Sequence, residues 1–291
     1  MAKKSKKDEV EIKVVEEVKE EVKPEAKEEI IKTDAIEKIV EEEIKPEVKK
    51  EEHLVEVKVS IPEGWKPKTE LGKKVVSGEL VNITKVFADG LKIAEPPIVD
   101  ILIPNLEKEI IFIGGSTGKG GGIKRTPFKR TARMHKSGRR YRISVMTVVG
   151  NKNGYVGVGL ANGPPGKHQE VIEKATSKAK LNIIPIRRGC GSWECFCGTN
   201  HSIPFAVEGK AGSVIIKLIP APKGIGLCVS DEVKKIMRLA GISDIWSDTR
   251  GNTQMRINLI MAVFNALKKL NRYKTKPDFE KSVGMTIGKV E

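Results

Sequence analysis

The charge of this chain changes sign partway along it, and that break limits where a folded body can begin. Residues 1–52 carry 13 lysines against 18 aspartates and glutamates, a net of −5, with no aromatic residue and with Pro24 and Pro46 as interruptions. So little apolar bulk cannot offset the entropy of ordering a chain, and a disordered Lys/Glu-rich tail is expected there. Glutamate and lysine recur three and four apart, which supports short helical stretches at most. The remainder of the 291 residues holds 40 of the 53 basic and 20 of the 38 acidic side chains, a net of +20. A body this cationic attracts phosphate and releases counterions on binding it. Twenty excess charges are more than a merely solvated surface needs, so nucleic acid is the expected partner.

No run of about 18 apolar residues occurs, so no membrane span is expected. The amino terminus is charged and lacks the basic-then-apolar order of a secretory signal. A reducing cytosol is the expected setting. Four cysteines there, three of them within eight residues, suggest ligands rather than disulfides. A Cys195–Cys197 disulfide would be strained by its short reach.

Beyond the tail, residues 53–123 suggest an extension with short helices. An amphipathic stretch surrounds Leu71 and Val75, and Pro96 and Pro97 join two further helical segments. A strand-like Ile-Ile-Phe-Ile then runs into the glycine-rich "GGSTGKGGG" at 114–122. That segment fails the phosphate-loop pattern: three residues, not four, separate Gly114 from Gly118, and Gly120 rather than Ser or Thr follows Lys119. A flexible loop is expected. "RRYRISVMTVVGNKNGYVGVGLA" reads as two strands, with Asn153-Gly154 as a type I′ hairpin turn. A helix follows with Val171, Ile172, Ala175 and Ala179 on one face and Lys174 and Lys178 on another. After the cysteines, "FAVEGKAGSVIIKLIPAP" suggests one or two strands. Ser230 caps a helix with Asp231 and Glu232 in its first turn, Val233, Ile236, Met237 and Ala240 facing inward, and Gly241 stopping it. A short strand at "ISDIWSDT" and a second helix burying Ile257, Ile260, Val263, Phe264 and Leu267 complete a β–α–β–α order. Residues 276–291 are expected to be a polar tail.

The strongest basic cluster is Lys124, Arg125, Lys129, Arg130, Arg133, Lys136, Arg139, Arg140 and Arg142. Arginine forks match phosphate oxygens with two parallel N–H groups, and Gly138 frees the backbone at the loop tip. Further candidate RNA contacts are Lys152, Lys167, Lys174, Lys178, Arg187 and Arg188. With only 4% aromatic residues, base-stacking platforms are disfavoured and recognition of RNA shape, phosphate and 2′-hydroxyl is expected.

Cys190, Cys195, Cys197 and His201 form C-x4-C-x-C-x3-H, a complete tetrahedral set for zinc, with Gly189, Gly191 and Gly198 letting the chain fold around an ion. The alternative is a small loop of reduced thiols packed under Trp193. A catalytic thiol is disfavoured because no separate His and Asn/Asp pair forms a relay, and the zinc-deaminase signature is absent. Cys228, in the apolar "GLCVS", is expected in the core.

Taken together, "TVVGNKNGYVGVG", "KAKLNIIPIRRGCGSWEC", "HSIPFAVEGKAGSVIIKLIPAPKGIGL", "LAGISDIWSDTRGNT" and "NALKKLNR" resemble the universal small-subunit ribosomal protein S-five family in its archaeal form, over roughly residues 62–275. The resemblance implies an α+β protein. Its first domain would resemble a double-stranded-RNA-binding fold, here 124–203 with the Cys-rich loop. Its second, 204–275, would be the α/β sandwich named after the family. It also implies a structural constituent of the cytoplasmic small ribosomal subunit rather than an enzyme. Such a protein binds small-subunit ribosomal RNA beside two neighbouring ribosomal proteins, where messenger RNA enters its channel, and bears on translational accuracy. The family's basic hairpin loop corresponds to Arg130, Arg133, Lys136, Arg139 and Arg140, while Lys167 and His168 stand by position where the family usually carries other basic contacts. One different reading remains. "PAPKGIGLCVS" is similar to the P-x3-G-x-G-x-S phosphate loop of galactokinase-type small-molecule kinases, although no magnesium carboxylate or substrate domain accompanies it.

Overall fold

The computed structural model describes residues 65–117, 123–195 and 197–288; the tail expected over 1–52 lies outside them, as do 118–122 of the glycine-rich segment. Three short helices come first. In α1 (Glu70–Val76) the Thr69 hydroxyl caps the first turn by accepting from the Gly72 N–H. Glu95 braces that end, accepting from the Trp65 indole and the Thr69 N–H, each at 2.8 Å. α2 (Ile83–Ala88) follows, and α3 (Pro96–Leu102) begins on the two prolines. The sequence suggests these prolines as a joint between helices. Their fixed φ and missing N–H suit a first helical turn, and that is where they sit. Leu71, Val75, Ile83, Val86, Ile98 and Leu102 bury themselves together against Tyr155 and Ile183.

The central sheet is antiparallel. β1 (Glu107–Ile111), β2 (Gly114–Thr117) and β3 (Ile123–Thr126) lead into β4 (Lys129–His135), β5 (Gly138–Gly150) and β6 (Tyr155–Gly163). Then come α4 (His168–Leu181) and β7 (Ile183–Pro185). The strand order is β1-β5-β6-β7, with β4 also pairing β5. β5 is long enough to serve two partners along one edge: β4 pairs its first half and β1 pairs Met146–Gly150. β6 reaches only as far as Ile143, so Gly138–Arg142 and β4 project as a two-stranded ribbon.

The inner half of β5 lacks a polar face because both of its faces are covered. Ile143 and Val145 pack with Val171 and Ala175 of α4, and Met146 and Val148 join the core under the second half of the chain. Gly157 and Gly159 let α4 sit close on β6. A Cβ at either would stand 2.2 Å from the Ala179 or the Ala175 carbonyl oxygen. The β5–β6 connection is the expected hairpin with a different turn. Positive φ falls on Lys152 (60°) and Gly154 (95°), not on Asn153. The Asn151 side chain accepts from the Asn153 and Tyr155 N–H groups at 2.9 and 3.0 Å, an Asx-type brace that replaces type I′ geometry.

After β8 (Arg187–Arg188), the second half runs β9 (Val207–Ala211), β10 (Val214–Pro220), β11 (Leu227–Cys228), α5 (Asp231–Ala240), β12 (Ile245–Arg250) and α6 (Arg256–Leu270). Its sheet order is β11-β12-β10-β9, with Val214, Ile216 and Leu218 facing the buried sides of α5 and α6. Gly241 ends α5 in the left-handed conformation at φ 75°, as the sequence suggests. Glu232 does more than complement the α5 dipole. It is buried and accepts from the Phe112 N–H at 2.9 Å and from Arg256 at 3.0 Å, with Lys235 at 3.2 Å. These contacts tie the end of β1 to both later helices.

Three further expectations fail. Gly114–Thr117, in the segment expected to be a flexible loop, form β2 and pair antiparallel with β3. Cys228 is exposed, because β11 is a two-residue edge strand that turns this side chain to solvent. The segment expected as a polar tail folds back as α7 (Pro277–Val283) and β13 (Thr286–Ile287), which pairs with β8. Its anchors are few and point-like: buried Val283, and the Tyr155 hydroxyl donating to the Gly288 carbonyl at 3.3 Å. So few apolar residues leave no periodic pattern to read.

Candidate nucleic-acid interface and metal centre

The β4–β5 ribbon concentrates cation. Its register sets Arg133 opposite Arg140, Thr131 opposite Arg142 and Met134 opposite Arg139, and the chain reverses at Lys136-Ser137 before Gly138 (φ 107°). Arg130, Arg133, Lys136, Arg139, Arg140 and Arg142 are all exposed, and Lys129 is half-buried at the base. A directly opposed Arg–Arg pair destabilises an isolated ribbon, so this register favours a polyanion between the two guanidinium groups. On the other face the Arg130 guanidinium stacks 3.6 Å from the Tyr141 ring centroid, which orders it for contact. Lys124 and Arg125 extend the charge along β3.

The other cationic candidates divide. Lys167 pairs with Glu170 at 2.7 Å and Lys174 reaches the same carboxylate at 3.9 Å, so that part of α4 is partly neutralised. The Lys167 ammonium, first of all, holds Glu170 below the usual carboxylate range. Lys178 is exposed one turn further on, and Lys152 pairs with Glu107. Arg187 is half-buried and donates to the Tyr273 carbonyl at 2.6 Å. Arg188 departs from the sequence reading. It is only 8% exposed, and its guanidinium faces the Lys152 and Gly241 carbonyls at 3.5 and 3.3 Å. Burial pushes its pKa down, and the position suits a brace within the fold rather than an RNA contact.

The cysteine knuckle starts where β8 ends. Gly189 N–H donates to the Ser202 carbonyl, Cys190 N–H to that of Val283 and Gly191 N–H to that of Ile203, so the loop is clamped at its neck. Within it, one ligand atom from each of Cys190, Cys195, Cys197 and His201 lies within 4.8 Å of the others. Sulfur and nitrogen at about 2.0–2.3 Å from a tetrahedral zinc ion stand at most about 3.8 Å apart, so the cluster needs to close by about 1 Å around an ion. Cys190 and His201 are buried, Cys195 is intermediate and Cys197 is exposed. His201 Nδ1 lies 2.9 Å from Asp244 Oδ2, while its Nε2 is buried with no hydrogen-bond partner among the described residues. A buried imidazole nitrogen left open beside three sulfurs is what a metal would satisfy. The Thr199 hydroxyl, first among several causes, draws the Cys197 thiol down to about 6, and burial raises that of Cys190. Trp193 is 78% exposed and covers no thiol, so the alternative of a loop packed beneath it does not hold.

Comparison with known proteins decides the family. Residues 127–187 match the family model for the ribosomal protein S5 N-terminal domain, and 209–280 that for its C-terminal domain. The chain is 46% identical over 231 residues to the small ribosomal subunit protein uS5 of Nanoarchaeum equitans, covering 78% of this chain and 97% of that protein. It is 48% identical over 212 residues to uS5 of Thermofilum pendens, covering 72% and 95% of the two. It belongs to the ribosomal protein S5 family. The ribbon of this S5-family chain lies inside the N-terminal match, whereas the four metal-ligand candidates fall between the two matched domains. No helix among the described residues is long and apolar enough to cross a membrane.

The kinase reading of the 220–230 loop finds no support in this family or in the loop's geometry. The Gly224 and Gly226 N–H groups, which would face a phosphate in such a loop, both donate to Asp244 Oδ1, at 3.1 and 2.8 Å. The helix that follows opens with Asp231 and Glu232, which repel an anion. Asp244 is the site residue that sequence reading missed. It stands 43 positions from His201, and no local pattern marks a carboxylate that reaches a histidine only through the fold.

Proposed function

We propose that this S5-family chain is a structural, non-enzymatic constituent of the small ribosomal subunit in the cytoplasmic ribosome. In this reading its β4–β5 ribbon holds small-subunit ribosomal RNA. The observation that carries the RNA contact is the exposed ribbon with Arg133 opposed to Arg140. A double-stranded-RNA-binding-like unit over 124–203 is supported by the order β4-β5-β6-α4, with the helix packed on one sheet face. Residues 204–275 are read as the α/β sandwich, 53–123 as an extension and 276–288, from the segment expected as a tail, as a folded-back terminus. A site beside two neighbouring ribosomal proteins, where messenger RNA enters its channel, and a bearing on accuracy rest on family resemblance. Exposed Arg139 and Arg140 at the ribbon tip suit a phosphate-rich setting of that kind. Calorimetry separates this from the kinase reading. Tight, salt-sensitive binding to small-subunit ribosomal RNA with no heat from ATP is expected, and saturable micromolar ATP binding would reverse the conclusion.

Zinc is proposed for the knuckle, held by Cys190, Cys195, Cys197 and His201. When bound it would act structurally, linking the neck of β8 to the start of the second half. The open His201 Nε2 supports this reading. Elemental analysis of the purified full chain is expected to find one zinc per molecule, lost on treatment with a strong chelator. Metal-free protein from zinc-supplemented preparation would remove the proposal.

A further inference from the structure

Asp244 uses both of its carboxylate oxygens, and in different directions. It is 4% exposed just before β12. Oδ2 faces His201 Nδ1 at 2.9 Å, and Oδ1 accepts from Gly224 and Gly226. Both glycines are left-handed, at φ 98° and 77°, so their N–H groups converge on one point as a small anion nest. The backbone repeats the link, since the Ser243 and Asp244 N–H groups donate to the His201 carbonyl at 2.8 and 3.0 Å. His201, Asp244 and the turn at 222–226 therefore form one hydrogen-bonded unit. On the outside of that turn Lys223 and Ile225 are exposed.

We propose that Asp244 is a positioning residue that orients His201 for the metal and couples metal occupancy to the shape of the Pro222–Gly226 turn. This rests on the zinc reading above. The chemistry has two parts. A carboxylate at Nδ1 fixes the tautomer with hydrogen on Nδ1, leaving the Nε2 lone pair for a metal. A metal on Nε2 in turn makes Nδ1–H a stronger donor, which tightens the hold on Asp244 and on the two glycine N–H groups that share it. Without the ion, His201 Nε2 is a buried acceptor with no partner among the described residues, and the ring gains by turning toward water. The coupling is reciprocal, so whatever fixes the 222–226 turn also strengthens metal binding.

The test uses the full chain, zinc-loaded and chelator-stripped, together with Asp244→Asn. Zinc affinity is read by chelator competition, ligand identity by the visible spectrum of the cobalt(II) form, and order by amide exchange at Gly224 and Gly226. Stripping the wild type is expected to speed exchange at those two amides about tenfold or more through local opening, read as the denaturant-independent part of their exchange. Asp244→Asn is expected to weaken zinc about 10–100-fold while its cobalt spectrum keeps the three-thiolate signature. A wild type that holds no zinc removes the metal centre and the coupling together. A wild type that holds zinc, but whose Gly224 and Gly226 exchange ignores it, overturns the coupling and leaves the centre standing. Wild-type zinc affinity in Asp244→Asn overturns the positioning role alone. The wild-type comparison decides the coupling even if the variant fails to fold.

Discussion

Replacing Arg139 and Arg140 together with alanine is expected to weaken binding to small-subunit ribosomal RNA on the order of tenfold or more, and to flatten log K against log salt by about 2. Both guanidinium groups are exposed on the projecting half of β5, where no third strand among the described residues pairs with it. The change should therefore leave the fold intact. Arg133 gains from the loss of its opposed partner in the free protein, which further tilts the variant toward the unbound state. Arg188→Ala provides the contrast. That side chain braces two backbone carbonyls, so its loss is expected to reduce stability rather than the salt slope. A salt series in a filter-binding or fluorescence assay reads the slope. A double variant with the wild-type slope would show that the ribbon tip does not meet phosphate.

Loss of the proposed zinc is expected to be the largest effect on stability. With zinc at about a thousandfold over its dissociation constant, binding contributes about 4 kcal/mol to the folded state. For a chain of this size that corresponds to roughly 8–16 °C in the unfolding midpoint. Cys190→Ala should produce a comparable drop and abolish zinc binding, since Cys190 is buried at the neck of the knuckle. The Cys190 N–H also holds the Val283 carbonyl of the folded-back terminus; alanine keeps that donor, but a neck loosened by loss of the ion should raise cleavage by protease near 277–288. Cys228→Ala is the control: the side chain is exposed, lies outside the cluster and should change neither zinc content nor midpoint. Differential scanning calorimetry with and without chelator measures both. A midpoint that does not move when zinc leaves would make the knuckle's geometry incidental to folding.

Patterns with a period were legible in the sequence and patterns without one were not. The stripe Val233, Ile236, Met237 and Ala240, the Gly241 stop and the apolar face of α6 are where the spacing puts them, because a helix repeats and buries one side. The ribbon was legible as charge, and the Cys/His spacing was legible as a ligand set that the fold brings within 4.8 Å. What the sequence hid depends on contacts made across the fold. Apolar residues at both parities of β5 point to burial on two sides without saying what covers each. Cys228 sits among apolar neighbours, yet a two-residue edge strand turns it outward. Arg188 stands beside Arg187 in a basic dipeptide, and only the neighbouring carbonyls set its role. Asp244 is one acidic residue among 38, distinguished only by where β12 delivers it.

Past its acidic first 52 residues the chain is a cationic body, and its retention by small-subunit ribosomal RNA needs no bond-making chemistry. Sedimentation of tagged full-length chain in a lysate at physiological ionic strength tests it most directly. The chain is expected to travel with the small-subunit peak and to be released as salt rises, earlier when Arg139 and Arg140 are alanine. Wild-type chain that stayed at the top of the gradient at physiological salt would show that ribosomal RNA does not retain it.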